Sequence, residues 1–149
     1  MHGVADRLFA AHTITEQLVI AIGGHIRTWA KTLSTNVQPQ TILESRFSPA
    51  SEAYARGMVS CGTISNISAE MLRHLQFRVK LIDGRIPQSP DHAWISVYDS
   101  GTEQWQQYDL AQKDGKVTSK HIVEFECDNW TDIREHLEAR HQYYQQPEF

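Results

Sequence analysis

Three residues of this chain have the side chains that cysteine-based acyl transfer requires, and they follow one another as Cys61, His92 and Asp109. A thiol becomes a strong nucleophile when it is ionised, and a histidine can take up and deliver its proton. A carboxylate can then fix the orientation and the tautomer of the imidazole. This chemistry is available only if the fold brings the three side chains together. It therefore depends on the helix and the strands that carry them.

The helix predicted to begin at Cys61 places the thiol at its positive end. Ser60 can cap this helix, and apolar residues recur at helical spacing behind the cysteine. They are Ile64, Ile67, Met71, Leu72 and Leu75. Unpaired backbone amides and the helix macrodipole favour an anion there, which lowers the pKa of a thiol. The backbone amide of Cys61 would also point at an oxyanion formed beside it, and a second donor would have to come from elsewhere.

The runs 92–98 and 105–110 are predicted to form an antiparallel hairpin. With a two-residue turn, Asp109 would lie directly opposite His92. With a four-residue loop it would lie opposite Trp94, which is diagonal to His92 but on the same face. A three- or five-residue loop would turn Asp109 to the other face. Two of these registers therefore let the carboxylate orient the imidazole.

The remaining elements are predicted from apolar periodicity and turn residues. The predicted helices cover 13–33, about one turn within 42–47, 49–56 and 131–144, and the predicted strands outside the hairpin cover 77–82 and 117–127. Helices on either side of a run of strands indicate an α+β fold with a mostly antiparallel sheet. We predict one domain, with a helical part in 1–60, a core in 61–127 and a C-terminal helix in 128–149.

Several local signals set the ends of these elements. The residues Thr13 to Glu16 have the form of a capping box, and the pair Gly23-Gly24 is expected to kink or divide the first helix. The pair Asp83-Gly84 is expected to end the first strand, and Asp114-Gly115 to turn a second hairpin into the last strand. Residues 34–47, with Pro39, are interpreted as a surface connection.

Composition and charge exclude several classes of function. The 149 residues include 14 lysines and arginines against 18 acidic residues, and the basic residues are scattered singly. A net charge of −4 distributed in this way argues against nucleic acid or an anionic membrane as a partner. No segment has the pattern of a leader or the length to span a bilayer, so we expect a soluble, cytoplasmic protein. Two cysteines without CxxC spacing fit a reducing compartment.

The sequence predicts no metal site and no cofactor. Besides His92 and His2, the chain contains His12, His25, His74, His121, His136 and His141. His136 and His141 are five residues apart, which misses the spacing that would place two ligands on one helix face. We therefore expect these histidines on the solvated surface. Cys127 lies on an apolar strand face without a matching partner and is interpreted as structural.

The pattern as a whole resembles the transglutaminase-like superfamily of papain-like cysteine enzymes. The likeness is carried by Arg56-Gly57 and Cys61, by the run from Met71 to Val79 with Asp83-Gly84, by His92-Ala93-Trp94 with Val97-Tyr98, and by Trp105 with Tyr108-Asp109. It spans residues 54–112, about two fifths of the chain. In that family the cysteine, the histidine of the H-A-W motif and the aspartate after the tryptophan form a catalytic triad. The resemblance implies this role for Cys61, His92 and Asp109.

The resemblance also implies a fold and a reaction. The fold would be a papain-like α+β core with the helix of Cys61 packed on an antiparallel sheet. The reaction would be acyl transfer on the amide or ester of a peptide, a protein or a small molecule, and a chain this short favours hydrolysis over crosslinking. Relatives often supply the second oxyanion donor from an upstream side chain, for which Trp29 and Tyr54 are candidates. Gln76 stands where the family usually has a glycine at the helix end.

Each of the three residues also has a plainer interpretation. A lone cysteine on an apolar helix is usually buried and inert, a strand histidine beside a tryptophan is often structural, and Asp109 could simply end a strand. The family itself includes proteases, crosslinking enzymes, peptide-N-glycanases and inactive members, so the resemblance indicates a site without a substrate. A binding module that has kept the fold, or a small-molecule acyltransferase, are therefore the alternative functions.

Overall fold

The computed structural model describes residues 1–33 and 37–144, and it has the predicted α+β class. The helices are α1 His2–Ala11, α2 Thr15–Thr32, α3 Ile42–Phe47, α4 Ala50–Arg56, α5 Cys61–His74 and α6 Arg134–Tyr144, with a 3₁₀ helix at Trp130–Ile133. The strands are β1 Val79–Ile86, β2 Ser89–Asp99, β3 Gln104–Tyr108 and β4 Ile122–Cys127. Residues 34–36, within the predicted connection 34–47, and residues 145–149 lie outside the described residues.

The four strands form one antiparallel sheet in the order β3-β2-β1-β4. In the hairpin of β2 and β3, Asp99 pairs with Gln104 and Ile95 pairs with Tyr108. The loop between them therefore has four residues, and continuing the register by one pair places Asp109 opposite Trp94. This is one of the two registers that keep Asp109 on the face of His92.

Helix α5 packs against the centre of the sheet. Four of the five residues of its apolar stripe are buried as predicted, since Ile64, Ile67, Met71 and Leu72 are at most 1% exposed, and the fifth, Leu75, is partly buried. These side chains share one hydrophobic cluster with the inward residues of β1 and β2, which are Val79, Leu81, Ala93, Ile95 and Val97. At about 25 cal/mol per Å² of apolar surface, burial of this size holds the N-terminus of α5 in a fixed position relative to β2.

The predicted second hairpin is wrong, because β4 pairs with β1 and not with β3. The Asp114-Gly115 turn folds back on its own loop, with the Asp109 amide donating to the Gly115 carbonyl at 3.0 Å. The strand then begins at Ile122 rather than at 117. Gly84 allows β4 to approach β1, since a β-carbon at this position would collide with the backbone carbonyl of Ile122.

The first strand does not end at Asp83-Gly84 as expected. Strand β1 continues to Ile86, with Asp83 paired to Ala93 and fully buried. A buried carboxylate needs opposite charge and hydrogen bonds, and it receives both from Arg46, His136 and Arg140. The sequence signal for a turn is thus overridden by ion pairs from two distant helices.

The N-terminal helices also differ from the prediction. Helix α2 is continuous through Gly23-Gly24, and its N-cap is Ile14, without a side-chain capping bond. The side chain of Leu110 packs so closely on Gly23 that a β-carbon would lie 3.0 Å from it, so this glycine serves packing. Helix α1 was not predicted, because only Ala5 of its residues is buried. No helix in the described ranges is long and apolar enough to cross a bilayer.

The end of α5 offers a test of local strain. Gln76 is exposed and has φ 72°, in the left-handed region that favours glycine. We expect Gln76→Gly to raise the free energy of unfolding by about 0.5–1 kcal/mol, because relief of the strain exceeds the added entropy of the unfolded chain. Urea titration measures the change. Gln76→Ala keeps a β-carbon and serves as the control, and a glycine variant no more stable than the alanine variant would contradict the prediction.

Candidate active site

Cys61 occupies the first turn of α5, as predicted, and Ser60 is its N-cap. The Ser60 hydroxyl accepts from the amide of Thr63 at 3.2 Å, and the Thr63 hydroxyl accepts from the amide of Ser60 at 2.8 Å. This reciprocal capping box fixes the helix start. The half-buried thiol therefore has a defined position at the positive end of α5.

The structure brings His92 and Asp109 to the same place as Cys61. The thiol and the imidazole of His92 are close enough that each shifts the pKa of the other. The Nε2 of His92 lies 2.8 Å from Oδ2 of Asp109, and the two residues are 7% and 0% exposed. The other carboxylate oxygen of Asp109 accepts from the amide of Ala111 at 3.2 Å. The three predicted residues thus lie together, with the imidazole of His92 interacting with the thiol and hydrogen-bonded to the carboxylate.

The pKa values of these groups shift in directions that favour an ionised chain. Burial by itself raises the pKa of the Cys61 thiol, but the hydrogen bond with His92 and the positive charges of Arg46 and His92 bring it below its ordinary value. Burial lowers the pKa of His92, yet its hydrogen bonds to Asp109 and Cys61 raise it to about 9. Both shifts favour a thiolate beside an imidazolium.

Arg46 is a further neighbour of the thiol that the sequence did not indicate. This side chain is 2% exposed, and its Nη1 donates toward Sγ of Cys61 at 3.7 Å. The approach requires the glycine after the cysteine, because a β-carbon on Gly62 would lie 2.6 Å from the same Nη1. Cys61 therefore has two cationic neighbours, His92 and Arg46, in addition to the helix N-terminus.

A network of buried ion pairs holds Arg46 in this position. Its Nη2 lies 3.0 Å from Asp91 and 3.5 Å from Asp83. Arg140 of α6 bridges the same two carboxylates at 3.0 Å each and also pairs with Glu124. Burial raises the pKa of Asp83, although Arg46 and Arg140 oppose the rise. These ion pairs therefore compensate the positive charge of the Arg46 guanidinium and fix its position beside the thiol.

His121 is the second residue near the site that the sequence did not indicate, and it contacts Asp109. It was expected on the solvated surface, but only 7% of its side chain is exposed, and its Nε2 lies 2.9 Å from Oδ2 of Asp109. His136 was likewise expected on the surface and instead contacts the buried Asp83 at 3.2 Å. No local signal marks either histidine, because both contacts form between elements that are distant in sequence.

Within the described ranges, His92, Asp109 and His121 form a group whose potential ligand atoms lie within 4.8 Å of one another. Two imidazoles and a carboxylate are suitable ligands for zinc. However, the Nδ1 of His121 accepts from the backbone amide of Thr118 at 3.0 Å, so the ring proton lies on Nε2, the atom that faces the group. A metal would need a lone pair at that atom. The residues as arranged fit a hydrogen-bonded network better than a metal site.

The two candidates for a second oxyanion donor are engaged with each other. The indole Nε1 of Trp29 donates to the backbone carbonyl of Tyr54 at 2.9 Å, and the Tyr54 hydroxyl lies 2.7 Å from His25. The rings of Trp29 and Tyr54 are stacked, with centroids 5.1 Å apart. These donors therefore stabilise the contact between α2 and α4 and are not free for an oxyanion.

Cys127 contrasts with Cys61. It is 7% exposed in the hydrophobic cluster, and burial, together with nearby acidic groups including Asp132, raises the pKa of its thiol to about 12. A thiol of this kind is protonated at neutral pH and is a poor nucleophile. This agrees with the structural interpretation of Cys127, and the chain thereby contains an internal standard for the reactivity of Cys61.

The arrangement of α5 on an antiparallel sheet is that of the papain-like α+β class, and comparison with solved structures agrees. The chain is similar to a proposed cysteine protease from Cytophaga hutchinsonii, with a TM-score of 0.63 and 14% sequence identity. The match covers 88% of this chain and 43% of that protein, so the chain spans less than half of its length. No family model matches the chain, and no curated protein matches it in sequence. The predicted fold class is thus confirmed, at the level of the papain-like fold rather than of one family within it.

Proposed function

We propose that this protein is a cysteine hydrolase of the transglutaminase-like type, with Cys61, His92 and Asp109 as its catalytic triad. The observation that carries the proposal is the position of His92, which interacts with the Cys61 thiol at the N-terminus of a capped helix and is hydrogen-bonded to the buried Asp109. A structural cysteine has no need of a paired imidazole whose pKa is raised to about 9. The arrangement therefore supports nucleophilic catalysis over a purely structural role.

The proposed reaction uses each group in a separate role. The Cys61 thiolate attacks the carbonyl carbon of an amide or ester, and the resulting oxyanion faces the backbone amide of Cys61 at the N-terminus of α5. As the tetrahedral intermediate collapses, the bond to the leaving group breaks and His92 gives its proton to the departing nitrogen or oxygen. His92 then takes a proton from water, which attacks the thioester and releases the acid and the Cys61 thiolate. Asp109 stabilises the imidazolium throughout.

A test with iodoacetamide compares the two cysteines of the same molecule. The intact protein is treated between pH 5 and pH 10, and alkylation of Cys61 and Cys127 is quantified on their peptides. We expect Cys61 to react well below the range of a free thiol near 8.5, because His92 and Arg46 lower its pKa. Cys127 should stay unmodified until about pH 9 or above.

Turnover is measured on a nitrophenyl ester and on a nitroanilide with the same acyl group. Cys61→Ser should abolish hydrolysis while its unfolding curve remains that of the native protein. Hydrolysis of the anilide should decline as the pH rises through about 9, because His92 then loses the proton that the leaving nitrogen needs. Alkylation of Cys61 only near pH 8.5, or a native protein no faster than Cys61→Ser, would instead favour a binding module that has kept the fold.

A crosslinking or small-molecule acyltransferase would share the first half of this reaction. The two outcomes separate at the thioester, which water resolves in a hydrolase and an amine resolves in a transferase. We propose hydrolysis of a peptide, protein or small-molecule substrate. Addition of a primary amine to the ester assay distinguishes the alternatives, since a transferase would release an amide in place of the free acid.

A further inference from the structure

The carboxylate of Asp109 has an unusual arrangement of donors. Its Oδ2 accepts from Nε2 of His92 at 2.8 Å and from Nε2 of His121 at 2.9 Å, while Oδ1 accepts from the Ala111 amide. The carboxylate is fully buried, so these bonds replace its entire solvation. The triad proposed above uses only the first of them. The second histidine therefore calls for a role of its own.

The tautomer of His121 is determined by its other nitrogen. The backbone amide of Thr118 can only donate, and it lies 3.0 Å from Nδ1 of His121. The Nδ1 atom must therefore be an acceptor without a proton, which leaves the single proton of a neutral imidazole on Nε2. A return bond from the His121 amide to the Thr118 carbonyl at 3.0 Å closes this turn. His121 is thus a neutral donor whose direction is set by the backbone.

A neutral donor suits this location because of the charges that surround it. His92 lies on one side, with ring centroids 6.2 Å apart, and the ring of Trp94 lies nearly perpendicular to that of His121 with centroids 5.1 Å apart. On its other side His121 borders a cavity of about 350 Å³ whose charged lining residues are Asp114, Lys116 and Lys120. A second imidazolium at this point would repel the proton on His92. The Thr118 N–H points at Nδ1 of His121, so that atom serves as an acceptor and Nε2 as the donor.

We propose that His121 is a positioning residue of the site, which orients Asp109 toward His92 by donating from the Nε2–H tautomer that Thr118 fixes. The inference rests on the proposed function for its catalytic meaning, but its geometry can be tested without a substrate. With this donor in place the carboxylate is held from two sides and stays ionised. Without it, Oδ2 would keep only the bond from His92, and rotation of the carboxylate would weaken their alignment.

Two variants separate the hydrogen bond from the bulk of the ring. His121→Leu fills a similar volume without a donor, whereas the amide nitrogen of His121→Gln can reach the place of Nε2. Lys120→Ala, which alters the same cavity without touching Asp109, is the matched control. We expect His121→Leu to reduce turnover of the nitroanilide about tenfold, the size that the loss of one hydrogen bond to a charged group brings. His121→Gln should recover most of the rate, and Lys120→Ala should retain all of it.

Nuclear magnetic resonance supplies the readouts that need no substrate. The ¹⁵N shifts of the native protein should show His121 as the Nε2–H tautomer. The ¹³C titration of the Asp109 carboxyl should move to higher pH by about one unit in His121→Leu and return in His121→Gln. An Nδ1–H tautomer, or an Asp109 titration unmoved by His121→Leu, would overturn the proposal. If the native protein hydrolysed nothing, the proposed function would fail while these spectra still decided the role of His121.

Discussion

Replacement of His92 by alanine should slow hydrolysis of a nitroanilide by about 10³–10⁴-fold while Cys61 remains more acidic than an ordinary thiol. The rate falls because the leaving nitrogen loses its proton donor. The thiol stays acidic because two of its stabilising neighbours remain, namely Arg46 at 3.7 Å and the N-terminus of α5. In the iodoacetamide titration, the curve for Cys61 should move to higher pH but should still precede that of Cys127.

The two substrates sharpen this prediction. A nitrophenolate departs without a proton, whereas an anilide nitrogen needs one, so His92→Ala should lose far less activity on the ester than on the anilide. The ratio of ester to anilide hydrolysis should therefore rise by about 10²-fold or more. An equal loss on both substrates would show that His92 serves mainly to ionise Cys61. An unchanged anilide rate would contradict the proposed triad itself.

Removal of the guanidinium of Arg46 should have the largest effect on stability. Arg46→Met leaves the buried Asp83 and the partly buried Asp91 with only Arg140 and His136 as partners, and such incompletely compensated charge costs about 3–5 kcal/mol of unfolding free energy. The same change removes a positive charge beside the thiol, so the pKa of Cys61 should rise. Urea titration and the iodoacetamide titration measure the two consequences.

Two control variants separate the effect of losing a positive charge from the effect of losing the buried guanidinium at position 46. Arg56→Met breaks only the exposed pair with Glu52 and should change stability by less than about 1 kcal/mol. Arg46→Lys keeps the charge but cannot bridge both carboxylates and the sulfur, so we expect an intermediate loss of stability. If Arg46→Met did not change the pH dependence of Cys61 alkylation, the role of Arg46 would be limited to stabilising the fold.

The parts of the site that sequence analysis predicted are those governed by local rules. The start of α5 follows from a cap and a stripe of apolar residues, and both are confirmed. The hairpin of β2 and β3 follows from turn residues and alternation, and its register was one of two that suited Asp109. These features depend on residues near one another in the chain, so periodicity and turn chemistry are sufficient to predict them.

The parts that sequence analysis missed depend on buried charge between distant elements. Asp83 has the appearance of a turn residue, and only Arg46 and Arg140 make its burial in β1 possible. Arg46 lies in a segment that was interpreted as a surface connection, and no periodicity marks it. The pairing of β4 with β1 requires a glycine at position 84, because Ile122 approaches the backbone there. This requirement cannot be recognised before the position of Ile122 is known. Such contacts depend on tertiary structure and leave no local pattern.

The bridge from Arg140 to Asp83 and Asp91 has a consequence for a chain that is still being made. Residues Cys61, His92 and Asp109 leave the ribosome well before α6, and domains generally fold from the N-terminal side as synthesis proceeds. Until Arg140 arrives, Arg46 alone pairs with the carboxylates of Asp83 and Asp91, and their excess negative charge disfavours a thiolate nearby. A nascent chain halted before α6 should therefore have a less acidic Cys61 thiol, which should reach its full acidity only once α6 packs in place.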